Sequence, residues 1–300
     1  MTNRHIIFVP GKNPKPPAEQ HRGLLWRTLL EGVRRAEPTV AGEFGRHAEA
    51  FSLVAWNHLY YRKTKDVSRD LPWIDALINT HGPSTQDIRE AEAWPTALNR
   101  ALFSVVDLLP IFLRLLPKPM RMTARETRRY FENRGGIASG IRELLKGVLR
   151  PLLTAGEPVL LIGHSLGSVI AYDTLWELSH LEPLPGKVEQ FLTLGSPLGM
   201  HYVQRRLLGA EHHGRRRYPT NIRRWVNVSA VGDLTALDRV FCDDYREMLD
   251  LGLVEAIEDH AKGIYNFFRN EQGLNCHRSY GYLVNPAVGK IIADWWVATT

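Results

Sequence analysis

An α/β fold, with a mostly parallel central sheet and helices on both faces, is the architecture this sequence predicts, on three observations. Short apolar runs alternate with longer helical patterns, the order that strand–helix–strand crossovers impose. The run Val159-Leu160-Leu161-Ile162 is apolar throughout, as a strand covered on both faces should be. It leads through Gly163-His164-Ser165-Leu166-Gly167 directly into a helical stretch. A chain of 300 residues with 44% apolar composition is long enough to bury the core of one large domain. No repeat, low-complexity tract or linker divides 1–300, so a single domain is expected.

In chain order, the first strand is expected at His5–Val9, ending on Pro10-Gly11. Its apolar run is too short for a signal-peptide core and reads as part of the fold. Further strands are expected at 51–56, 159–162, 190–194 and 225–229, with another near 264–268. Helical patterns cover 125–153, 244–251 and 286–297, and the acidic stretch 255–261 also looks helical. The interval between Trp56 and Val159 exceeds what one crossover helix requires. Its middle, about 57–121, reads as a helical insertion carrying Trp73, Trp94 and the apolar run 103–116. A lid over an apolar site and a plain packing helix are equally compatible with that pattern. The segment 101–116 contains Asp107, Pro110 and Arg114 and falls short of the roughly 20 apolar residues that span a bilayer. A helix lying on a membrane surface remains open.

Bulk charge narrows the partners. The formal charge of +6 and pI near 9.4 are moderate, and the basic residues form no long tail. No helix-turn-helix, zinc-finger or RNA-recognition pattern is present, so no nucleic-acid partner is expected. Two basic groups stand out: Arg205-Arg206 with Arg215-Arg216-Arg217 and Arg223-Arg224, and Arg114, Lys118, Arg121, Arg125, Arg128 and Arg129 after the apolar run. Solvated charge is the simpler account of each; with the apolar run they would suit peripheral contact with an anionic membrane. The two cysteines, Cys242 and Cys276, are not at metal spacing, and His212-His213 has no third ligand spaced to complete a site. No metal and no cofactor are expected, and the low cysteine usage suits a cytoplasmic location.

The chemistry resides in the turn after the third strand. A sharp strand-to-helix turn lifts one serine oxygen clear of the backbone, which makes Ser165 the candidate nucleophile. Gly163 and Gly167 are expected where the arms of the turn pass too closely for a Cβ. The helix that follows aims free N–H groups at the place where negative charge would develop. A serine hydroxyl needs a base, and in such turns the partners follow in the order serine, acid, histidine. The loop after 225–229 offers Asp233 as first choice, with Asp238, Asp243 and Asp244 as competitors further along. After Asp233 the histidines are His260, in the helix-like acidic stretch, and His277, in a turn-rich loop before the last helix. His277 is the preferred base. His164 is expected to point away from the serine as a wall or structural residue. For the oxyanion hole, the backbone N–H of Leu166 supplies one donor. Lys12 N–H supplies the second, with Gly11 permitting close approach. The Gly11-Lys12 pair is not a phosphate loop, because the preceding glycine and following Ser/Thr are missing.

On these residues the chain resembles the α/β-hydrolase superfamily. Its segment GHSLGSVIAYDTL, from Gly163 to Leu175, is similar to the elbows of lipase-like members, including intracellular phospholipases of the DDHD type. Thr193-Leu194-Gly195-Ser196-Pro197 is similar to a segment many lipases carry after the next strand, and the segments around Asp233 and His277 fit the family's acid and histidine positions. Many lipases have His-Gly in the oxyanion loop where this chain has Pro10-Gly11. The resemblance implies an esterase acting on a small-molecule or lipid ester through an acyl-enzyme. An acyltransferase using the same triad, or a fold retained for binding without turnover, are the alternatives.

Overall fold

The computed structural model describes residues 3–93, 126–236 and 240–299. Six strands form one wholly parallel sheet: β1 (His5–Val9), β2 (Phe51–Leu53), β3 (Val159–His164), β4 (Val188–Leu194), β5 (Ile222–Val228) and β6 (Ala256–His260). Their spatial order is β2-β1-β3-β4-β5-β6. A small antiparallel hairpin pairs Arg269–Asn270 with Gly273–Leu274.

Alternation along each strand sorts side chains onto two faces. Ile7, Val9, Leu161, Phe191 and Trp225 belong to a core shared with α2 (Ile137–Ala155) and α3 (Leu166–His180). Ile6, Phe8, Leu160, Ile162 and Leu192 belong to a second core shared with α1 (Ala18–Ala36) and α4 (Pro286–Ala298). All ten are fully buried, each burial being worth roughly 1.5–3 kcal/mol. In α2 the apolar residues Ile141, Leu145, Leu149 and Leu153 recur every fourth position and make one buried stripe. The helix stops at Gly156, whose φ of 69° lets its N–H close back on the Leu152 and Leu153 carbonyls. Buried ion pairs tie α2 to α3, with Arg142 at 2.9 Å and Lys146 at 2.8 Å from Glu177.

Two local expectations are corrected. Residues 264–268 are not a strand, although Ile264, Phe267 and Phe268 are buried. The sixth strand is Ala256–His260, the acidic stretch expected to be helical, pairing with β5 from Arg224↔Ala256 to Val228↔His260. It lies at the sheet edge, and only Ile257 is buried, so its sequence lacks the apolar signature of an interior strand. Position 244–251 is broken into two short helices, Phe241–Asp244 and Arg246–Asp250.

The described part of the 57–121 insertion contains helices Asn57–Tyr60, Leu71–Asn79 and Thr85–Glu92. Ile74 and Leu77 are buried in the core that also holds Leu25 and Leu29 of α1, so helix Leu71–Asn79 packs against the body of the fold. Trp94, the run 103–116, Arg114, Lys118, Arg121 and Arg125 lie outside the described residues, as does Asp238. No described helix is long and apolar enough to cross a membrane. Several residues of the basic groups engage the protein's own surface. Arg223 pairs with Glu189 at 3.2 Å and Arg224 pairs with Glu258. Arg206 sits 3.9 Å from the centre of the Tyr202 ring, and His212 stacks on Trp176. Arg128 pairs with Glu132 at 2.6 Å, and Arg129 lies 4.1 Å from the centre of the Tyr60 ring.

Candidate active site

The strand order reverses between β1 and β3: β2 lies outside β1, whereas β4, β5 and β6 follow on the other side of β3. At such a switch point the loops leaving the carboxyl ends part and open a crevice. The loop from β1 carries Pro10-Gly11-Lys12, and the turn from β3 carries Ser165, so both enter that crevice.

Ser165 occupies a conformation that L-residues rarely adopt, with φ 54° and ψ −129°. Such a residue costs of order 1–3 kcal/mol and persists only where its surroundings hold it. Ser165 N–H donates to the Leu194 carbonyl at 3.0 Å, and the Ser168 hydroxyl donates to the Ser165 carbonyl at 2.6 Å. Ser168 Oγ also lies 2.7 Å from Ser196 Oγ, tying the turn to the segment after β4. The glycine spacing has two different causes. A Cβ on Gly163 would lie 2.6 Å from Ser168 Cα, on the other arm of the turn, as expected. A Cβ on Gly167 would instead strike the Val9 carbonyl oxygen at 2.1 Å, so this glycine admits the end of β1 rather than the turn's own arm. Gly11 approaches from the same side, where a Cβ would come within 2.9 Å of Ser165 Cβ.

The structure brings Ser165, His277 and Asp233 together. His277 Nε2 lies 2.8 Å from Ser165 Oγ, and His277 Nδ1 lies 2.8 Å from Asp233 Oδ2. Asp233, in the loop after β5, is fully buried. Burial opposes its ionisation, but the His277 imidazole, the Tyr282 hydroxyl and the Thr235 N–H outweigh it and hold its carboxyl below the usual range. A carboxylate only accepts, so Nδ1 carries the hydrogen and Nε2 presents its lone pair to the serine O–H. Asp243 and Asp244 lie in a separate short helix, and His260 ends β6 with Nε2 4.0 Å from Glu258. Cys276 beside the histidine is a free cysteine, its thiol pushed up to about 12 by burial and the Asp233 charge.

Two further residues hold this arrangement from outside the three. The Tyr282 hydroxyl donates to Asp233 Oδ2 at 2.6 Å and accepts from Ala230 N–H at 2.9 Å, so it fixes the acid and its loop together. It lies in the short helix Ser279–Leu283, all of whose residues are buried. His164 is buried as a structural residue, yet it faces the histidine loop: its Nε2 donates to the His277 carbonyl at 2.9 Å, and the two rings are 4.9 Å apart. Burial, His277 and Lys15 keep this imidazole neutral by holding its pKa well below the usual value. His164→Ala should lower stability by about 1–3 kcal/mol, because it leaves the buried His277 carbonyl without its donor. Thermal melting alongside His164→Gln, which restores a donor, checks this; an unchanged melting temperature in the alanine variant would count against this contact as a support of the His277 loop.

The β1 loop is anchored from the chain after β2. Trp56 Nε1 donates to the Pro10 carbonyl at 2.8 Å, and Asn57 Nδ2 to those of Gly11 at 2.9 Å and Asn13 at 3.1 Å. Lys12 and Gly11 line one cavity with Ser165 and His277, while Leu166 opens α3 immediately after Ser165. Among the described residues no group of three or more His, Cys, Asp or Glu is gathered to hold a metal ion.

Fold and site define an α/β protein whose parallel sheet carries a hydrogen-bonded serine, histidine and aspartate at the carboxyl ends of its strands. Compared with known proteins, the chain matches no family model, no curated sequence and no solved structure.

Proposed function

We propose that this chain is a serine hydrolase of α/β-hydrolase type that cleaves a carboxylic ester through an acyl-enzyme. The observation that carries the reading is the hydrogen-bond chain from Ser165 through His277 to Asp233, built on a serine held at positive φ between β3 and α3. Its order along the chain and its place at the strand ends are those of a nucleophile elbow with its acid and base.

Ser165 Oγ attacks the ester carbon as its proton passes to His277 Nε2, and Asp233 stabilises the imidazolium that forms. The carbonyl oxygen gains the negative charge, and the Leu166 and Lys12 N–H groups receive it. The carbon–alkoxide bond then breaks, and the leaving alcohol takes the proton from His277. Water attacks the acyl-serine, gives one proton to His277, and releases the acid as that proton returns to Ser165. No cofactor enters the scheme, and the substrate class is a small-molecule or lipid ester.

Labelling by a fluorophosphonate and turnover of p-nitrophenyl esters test the reading. Wild-type protein should be labelled at Ser165 and release p-nitrophenol. Ser165→Ala should lose the label, and its kcat should fall by about 10^5- to 10^6-fold, as when one member of a concerted triad is removed. A folded wild-type protein that neither labels nor turns over these esters would sink the reading. Added alcohol that diverts the acyl group from acid to ester would favour acyl transfer over hydrolysis.

A further inference from the structure

Three cationic side chains, Lys12, Lys15 and Arg278, line the crevice beside Ser165. A cavity of about 60 Å³ beside the nucleophile is lined by Gly11, Lys12, Lys15, Ser165, His277 and Arg278, among others, with no carboxylate among its described lining residues. The nearby carboxylates are already engaged. Asp70 accepts from Lys65 Nζ at 2.7 Å with each oxygen, and from Arg278 Nη2. Glu126, which faces Lys12, accepts from the Tyr61 hydroxyl at 2.8 Å. Among the described residues, Arg278, Lys65 and Lys12 lie near Lys15 with Asp70 as the opposing carboxylate, and Glu126 faces Lys12. Burial, with Arg278 and Lys65 beside it, pushes Lys15 down to about 7, Asp70 opposing the shift and Lys12 adding to it. His21, next to the same cations, is held neutral by burial and by the Lys15 and Arg278 charges. Cations crowded in this way are stabilised by a bound anion.

Lys15 occupies the junction of two spaces. It lines the cavity at Ser165 and also a larger one of about 220 Å³, whose other walls include Pro16, Pro17, Ala55, His58 and Tyr61. An ester held at Ser165 with a charged group at Lys15 would find room for its remaining atoms in the second space.

We infer that the ester cleaved at Ser165 carries an oxyanionic group, a phosphate or a carboxylate, held beside the nucleophile by Lys15 together with Lys12 and Arg278. The inference rests on the ester-hydrolase reading. It assigns Lys15 to choosing the substrate. The positive charge around it favours encounter with anionic esters, and charge-assisted contacts to a phosphate or carboxylate are among the stronger hydrogen bonds.

The test compares two esters with the same leaving group and similar acyl length: p-nitrophenyl pentanoate, which is neutral, and mono-p-nitrophenyl glutarate, which ends in a carboxylate. The wild type should favour the charged ester in kcat/KM by about tenfold, the size expected for one charge-assisted contact. That preference should vanish in Lys15→Met and return in Lys15→Arg, thermal melting confirming that both variants fold. Inorganic phosphate should inhibit pentanoate turnover competitively, and less so in Lys15→Met. Stronger inhibition by phosphate than by acetate identifies a phosphate-bearing substrate, and the reverse a carboxylate. Turnover of the neutral ester without preference for the charged one, and without inhibition by either anion, overturns the anion site while leaving the hydrolase reading intact. Absence of turnover and of fluorophosphonate labelling overturns the hydrolase reading and with it the anionic ester. Calorimetry with inorganic phosphate on wild type and Lys15→Met then reports separately whether the cations bind an anion.

Discussion

Asp233→Asn should lower kcat on p-nitrophenyl esters by about 10^4-fold while leaving the fold intact, the scale set by giving a triad histidine the wrong tautomer. The hydrogen bonds around the side chain dictate the outcome. Thr235 N–H donates to Oδ1 at 2.8 Å, so an asparagine must keep its carbonyl oxygen there. Its amide nitrogen then falls at the Oδ2 position, where the Tyr282 hydroxyl lies at 2.6 Å and His277 Nδ1 at 2.8 Å. An N–H pointing at Nδ1 requires a lone pair on that nitrogen. The imidazole hydrogen moves to Nε2, which now faces Ser165 as a donor and cannot take its proton. Steady-state kinetics with a melting curve measure this; a loss below tenfold in a folded variant would remove Asp233 from the mechanism.

Gly167→Ala should be the most destabilising single methyl added at the site, costing about 3 kcal/mol or more. The added carbon would lie 2.1 Å from the Val9 carbonyl oxygen and 2.7 Å from that of Pro10. Both are backbone atoms, and Val9 is paired in register with Gly163 of β3, so neither retreats without breaking the sheet beside the nucleophile. A melting temperature lower by roughly 6–12 °C is expected for a domain of this size. Gly147→Ala provides the contrast. Gly147 lies within α2 with nothing inside 4 Å of the position its Cβ would take, so the substitution should raise stability by about 0.5–1 kcal/mol. Equal melting temperatures for the two variants would contradict this account of how β1 meets α3.

The legibility of the fold followed burial. β3 and β4 are legible because interior strands are covered on both faces and so apolar along their length, whereas edge strand β6 presents Glu258, Asp259 and His260, a polar stretch whose sequence suggests helix. The insertion after β2 shows in the sequence as excess length, but only Ile74 and Leu77 entering the α1 core reveal that helix Leu71–Asn79 packs against the fold. At the site, Ser165, Asp233 and His277 could be nominated because a strand-to-helix turn and the chain order of its partners are local patterns. His164 and Tyr282 could not be given their roles in this way. Their partners lie 113 and 49 residues away in the chain, and nothing beside them in sequence indicates a hydrogen bond to the His277 carbonyl or to Asp233.

Sequence alone determined the α/β class, the turn that exposes Ser165, and the order in which an acid and a base would follow it. Periodicity and glycine spacing are short-range consequences of backbone geometry, so they are written along the chain. Tertiary structure decided which aspartate and which histidine meet the serine, why Gly167 must be bare, and that Lys12, Lys15 and Arg278 converge beside it. Each of those depends on loops distant in sequence arriving at one edge of the sheet. Charge and hydrogen bonding act over distances in space, and the chain gains those distances only when β1, β3, β5 and β6 pair into a single sheet.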